Sequence, residues 1–244
     1  MGAGRRGAGG RAARPPGGAV TASRLRAWAA DYLWALDRQA RALRRRRPLP
    51  SGPGGRAPVV LLPGVYETWE FLRPVATALA AAGHPVHPVR ALRHNRRPVA
   101  EAAEVAAGYL EDADLHGAVL VAHSKGGLVG KHVMLSAAGT RVAGMVTVAT
   151  PFAGSRWARY MVGRGLRSFS PDDPGLLALA AQDEVNPRIT AVYPRFDPHI
   201  PQTVHLPGGR NVEVALDGHF RPLGQPALVR LVVAEVDRIE DASR

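Results

Sequence analysis

From Pro58 onward the chain alternates short runs rich in Val, Leu and Ile with longer stretches of helical periodicity. The runs APVVLLP, HPVHPV, GAVLVAH, AGMVTVAT, ITAVYP and NVEVAL are short and β-branched, and each predicts a strand. Between them, residues 69–82, 99–114, 126–137, 174–182 and 226–239 space their apolar side chains as helices do. Strand and helix in alternation is the pattern of βα units, so the expected fold class is α/β. The prediction is a doubly wound, mostly parallel six-stranded sheet that binds ligands beyond the carboxyl ends of its strands. No internal repeat interrupts the pattern.

The N-terminal part reads differently. Residues 1–19 contain Gly, Arg, Ala and Pro but almost no large apolar side chain, so they cannot offset the entropy of ordering and are expected to form a disordered basic tail. Residues 20–47 predict a basic amphipathic helix on which Leu25, Trp28, Ala29, Tyr32, Leu33, Leu36, Ala40 and Leu43 share one face. Trp34 points the other way. Arg44 to Arg47 complement the negative end of the helix dipole, and the Pro/Gly stretch at 48–57 is a linker. Residues 58–244 are then the catalytic body with an N-terminal helical extension.

Charge sharpens this division. The net charge of +12 suggests nucleic acid at first sight, but residues 1–56 carry 13 Arg against Asp31 and Asp37, a net of +11. The body is nearly neutral, and nucleic acid is not the expected partner. The absence of cysteine excludes a thiol nucleophile, disulfides and thiolate metal sites. The opening residues lack the apolar core of a secretory signal, and no run is long enough to span a bilayer, so the expectation is a cytoplasmic protein, peripheral to a membrane at most.

The chemistry centres on AHSKGG at Ala122 to Gly127, between the strand GAVLV and a helix. A strand-to-helix turn this tight holds its serine in a strained conformation that only small neighbours permit, so Ser124 is the candidate nucleophile. A hydroxyl needs a base, and in this arrangement acid and histidine follow the serine in chain order. His219 stands just past the last strand in NVEVALDGHF; its rivals His199 and His205 do not follow a strand. Asp197, just past ITAVYP, is placed to orient the base, whereas Asp217 is too near His219 and Asp172 and Asp173 come too early. Backbone donors for an oxyanion are expected from Lys125, after the nucleophile, and from Val65 in LLPGVYETW. The Lys125 side chain is expected in solvent. Tyr66, Phe152 and Trp157 are candidates for the substrate pocket.

Taken in order, LLPGVYE, AHSKGG, VATPFAGS, Asp197 and the pair Gly218–His219 resemble the lipase/esterase branch of the α/β-hydrolase superfamily, in particular its compact bacterial members. The resemblance covers residues 58–239 and implies a minimal α/β-hydrolase sheet and hydrolysis of a small-molecule or lipid ester. Pro63, Ala122 and Phe152 depart from the usual His, Gly and His, which leaves the chemistry intact but the substrate class open. The reading calls for no cofactor and no metal. Acyl transfer through the same three residues, or ligand binding without catalysis, remain alternatives. The basic helix can pack on the body or lie on an anionic membrane, and deletion of residues 1–50 is expected to spare hydrolysis of a short ester.

Overall fold

The computed structural model describes residues 22–43, 55–156, 158, 169–200 and 205–244. The expected tail at 1–19, most of the 48–57 linker and Trp157 lie outside the described residues. All six expected strands form: β1 (Val59–Leu62), β2 (Val86–Pro88), β3 (Ala118–His123), β4 (Val142–Val148), β5 (Ile189–Phe196) and β6 (Arg210–Asp217). Every pairing is parallel, in the order β2-β1-β3-β4-β5-β6. β1 and β3 are buried along their whole length, as central strands covered on both faces must be, which is why they read as unbroken apolar runs. β2 lies at an edge, where Pro88 leaves no ladder bond unmade.

Among the described residues, six α-helices accompany the sheet: α1 (Ala22–Leu43), α2 (Arg73–Ala81), α3 (Val99–Asp112), α4 (Lys125–Leu135), α5 (Pro174–Ala181) and α6 (Pro226–Ala242). One core, around Leu62, Leu110, Leu120, Leu128 and Met145, joins α3 and α4 to the sheet. A second, around Leu61, Leu79, Val146, Val232 and Val236, joins α2 and α6 to the other face. The predicted helix at 69–82 is divided: Trp69–Leu72 form a 3₁₀ turn, and the α-helix starts at Arg73 with Pro74 in its first turn, where a missing N–H costs nothing. Among the described residues, no helix is long and apolar enough to cross a membrane.

α1 packs on the body through the face opposite to the one its apolar pattern suggested. Asp31 is fully buried, Trp34, Ala35 and Arg38 are partly covered, and Trp34 meets Phe71 edge to face at 6.0 Å. Leu25, Trp28, Tyr32, Leu33 and Leu36 stay exposed. The helical periodicity was legible, but its docking side was decided by a polar residue with partners waiting for it.

The start of α4 runs so close to β1 that a Cβ at Gly126 would overlap the Leu62 carbonyl, which is backbone and cannot move aside. Gly108 on α3 faces open space. We therefore expect Gly126→Ala to cost about 3 kcal/mol or more. Gly108→Ala should stabilise by about 0.5–1 kcal/mol. Urea denaturation midpoints of the two variants check the contrast.

Candidate active site

β3 ends at His123, and the next residue turns sharply into α4. Ser124 takes φ 50° and ψ −122°, in the left-handed half of the backbone map that side chains avoid. Such a residue costs of order 1–3 kcal/mol and persists only where its surroundings over-determine it. Here the Ser124 amide donates to the Val148 carbonyl at 2.8 Å, and its own carbonyl accepts from the Thr150 hydroxyl at 2.9 Å. Thr150 also fills the space that a side chain at Gly127 would need. The VATP and SKGG stretches thus form one interlocked turn.

Asp197 and His219 reach the same point from the ends of neighbouring strands β5 and β6. Ser124 Oγ donates to His219 Nε2 across 3.0 Å, and His219 Nδ1 donates to Asp197 Oδ2 at 2.7 Å. The other Asp197 oxygen accepts the His199 and Ile200 amides at 2.8 and 3.0 Å. Burial alone would raise the Asp197 pKa, but His219 and these donors outweigh it and hold the carboxyl below its ordinary value. Burial likewise pushes His219 down, whereas the charge and hydrogen bond of Asp197, with Glu67 and Asp31 further off, leave it raised above 6.5.

The loop that carries His219 is held from outside the sheet. Asp31 of α1 accepts three successive amides, those of His219 at 3.0 Å, Phe220 at 2.8 Å and Arg221 at 2.7 Å. Gly218, with φ 116°, lets the chain pass, and a Cβ there would lie 2.5 Å from Asp31 Oδ1. α1 is thus bonded to the loop that carries His219, and deletion of residues 1–50 would remove the acceptor of these three amides.

A second buried pair ties the two loops together. Glu67 accepts the Gly64 amide at 2.8 Å and is hydrogen-bonded to His123 Nδ1 at 2.8 Å, and His123 donates from Nε2 to the His219 carbonyl at 3.0 Å. The turn that carries Val65 is therefore bonded, through Glu67 and His123, to the loop that carries His219. Its other strand is fixed by Asn95, which donates to the Pro63 carbonyl at 2.7 Å. The Lys125 side chain is buried, not solvated. Its ammonium donates to the carbonyls of Asn95 and Arg97, and burial lowers its pKa to about 8. As the first residue of α4, Lys125 also presents an amide that the helix leaves unpaired.

Ser124 and His219 open on a cavity of about 310 Å³ lined by Val65 and Tyr66 of the Gly64 turn, by Phe169, Ile200 and Phe220, and by Tyr32, Ala35 and Leu36 of α1. Tyr66 and Val65 stand where the sequence suggests. Phe152 does not: Pro151 lines the cavity and the Phe152 side chain turns into the core, where it is 6% exposed. His199 lines the wall, its ring 4.9 Å from that of His219; burial and the His219 charge lower its pKa to about 4, so it stays neutral beside the pair. Asp31, Glu67, His123 and Asn95 were missed by the sequence reading. Only His123, adjacent to Ser124, and Glu67, three residues after Gly64, carried a local hint.

A parallel sheet wound on both faces, with Ser124 on the sharp turn between β3 and α4 and Asp197 and His219 after β5 and β6, is the α/β-hydrolase fold. Solved structures agree. Bacillus licheniformis lipase BlEst2 in its mature form superposes with a TM-score of 0.63 at 14% identity, covering 78% of this chain and 96% of that one. Aspergillus fumigatus lipase B gives 0.61 at 15% identity over 80% of this chain and 59% of that one. Mouse alpha/beta hydrolase domain-containing protein 10 gives 0.57 at 14% identity, with coverage of 78% and 92%. No family model and no curated protein sequence matches the chain.

Asp31→Ala leaves three amides without their acceptor in a site that water reaches poorly. The expected loss is about 3 kcal/mol or more. Faster hydrogen exchange at the His219, Phe220 and Arg221 amides, with exchange in β1 and β3 unchanged at low denaturant, would locate the effect.

Proposed function

We propose that this chain is a serine hydrolase that cleaves carboxylic esters through an acyl-serine intermediate, with Ser124 as nucleophile, His219 as general base and Asp197 orienting that base. The observation that carries the reading is the unbroken hydrogen-bonded line from Ser124 Oγ through His219 to Asp197, at the floor of a mostly apolar cavity.

In the first step Ser124 Oγ attacks the ester carbonyl carbon as His219 Nε2 takes its proton, and the carbonyl oxygen becomes an oxyanion. The amides of Val65 and Lys125 are the proposed donors to that oxygen. Collapse expels the alcohol, protonated by His219, and leaves the acyl group on Ser124. Water, deprotonated by the same histidine, then attacks the acyl carbon, and the acid departs as Ser124 recovers its proton. The Asp197 carboxylate stabilises the imidazolium in both halves. Apolar walls suit an acyl chain or aryl group better than a charged one.

Ser124→Ala is expected to abolish hydrolysis of p-nitrophenyl esters and labelling by a fluorophosphonate. Full turnover by that variant, or a label on another residue, would overturn the mechanism. Asp197→Asn should lower turnover by roughly 10⁴-fold, since an amide neither fixes the tautomer nor stabilises the imidazolium.

The base works only when neutral. With the His219 pKa raised, activity should fall as pH drops, along an acid limb centred above 6.5. Asp197→Asn removes the main raising influence, so the limb of its residual activity should move to lower pH. A limb that stays in place in a pH profile of kcat/KM would assign the titration to another group.

A further inference from the structure

Among the described residues, α1 leaves its most apolar face exposed. Leu25 is 55% exposed, Trp28 49%, Leu33 67% and Leu36 62%. These side chains run along one side of the helix to the cavity, which Tyr32 and Leu36 line together with Tyr66, itself 43% exposed. Trp28 packs against Tyr32 with ring centroids 4.8 Å apart, so stripe and mouth are continuous. A helix inside a domain would turn such a stripe to the core, but here Asp31 turns the opposite side inward.

Exposed arginines accompany the same surface. Arg24 and Arg26 are exposed on α1, and Arg41, also exposed, is paired with Asp37 at 2.7 Å. The segment RALRHNRR, which reaches the cavity-lining Tyr66 through Arg96, holds Arg90, Arg93, Arg96 and Arg97, all exposed and with no acidic residue among them. The Arg96 guanidinium lies over the Tyr66 ring, 5.3 Å from its centroid. An apolar centre with a cationic rim matches the acyl boundary and anionic headgroups of a lipid leaflet.

We propose that this face docks on an anionic lipid surface, with Leu25, Trp28, Leu33 and Leu36 in the acyl boundary and the arginines of α1 and of residues 90–97 on the headgroups. The cavity mouth then opens toward the lipid. Entry of an ester from the bilayer rests on the hydrolytic reading, whereas docking does not.

The full chain carrying Ser124→Ala, which cannot turn over lipid, is sedimented with phosphatidylcholine vesicles and with phosphatidylcholine–phosphatidylserine vesicles. Binding to the anionic vesicles only, weakened by salt, is the expected result. Leu25→Ser and Leu33→Ser lie outside the cavity wall and should weaken binding by roughly tenfold each. Arg93→Glu should weaken it by more than the roughly fivefold expected for losing one cation. Circular dichroism of each variant keeps a folding failure apart from a binding loss.

Binding that ignores the leucine substitutions but vanishes with salt would assign attachment to the arginines elsewhere in residues 1–56 and overturn the proposal. Equal binding to both vesicle types would overturn its electrostatic half. A Leu-dependent dimer in sedimentation velocity, without vesicle binding, would give the face to a second copy of the chain instead. Because the test uses Ser124→Ala, vesicle binding stands whether or not Ser124 is the nucleophile.

Discussion

Much of this molecule turns on one buried carboxylate. Asp31 sits on a helix outside the sheet and gathers three consecutive amides from the loop after β6. Without an acceptor those amides would be costly where water is scarce, and without the amides the carboxylate could not be buried. Each satisfies the other, and the bargain fixes the position of His219. It also fixes which side of α1 faces inward. The cavity wall and the exposed apolar stripe both follow from that orientation.

Around this contact the site is built as a set of locks on backbone turns. Glu67 holds the Gly64 amide, Asn95 holds the Pro63 carbonyl, and the buried Lys125 ammonium holds the segment that carries Asn95. His123 links Glu67 to the His219 carbonyl. The strained Ser124 backbone is held in turn by Val148 and Thr150. Groups that must stay within a few tenths of an ångström are thus fixed by polar partners that are themselves buried, the condition under which preorganised donors are effective.

The proposed chemistry and the proposed docking surface meet at the cavity mouth. The same helix that positions the His219 loop supplies Tyr32 and Leu36 to the wall and carries the stripe away from it. A helix committed on one side to a polar contact has its other side free for a different solvent. This gives α1 two roles without any change in its conformation.

The strand-and-helix alternation, the six strands and the places of Ser124, Asp197 and His219 at strand ends were legible in the sequence, because periodicity and turn chemistry are local properties. So was the apolar stripe on α1. Which way that stripe faces was not, since the answer depends on Asp31 meeting amides about 190 residues away in the chain. For the same reason Phe152 could not be told from a pocket residue, and Lys125 could not be told from a solvated lysine. Glu67, His123 and Asn95 are polar residues of the kind that usually face water. Only the tertiary structure, by bringing complementary donors and acceptors together out of water, decided that they are buried and what they hold.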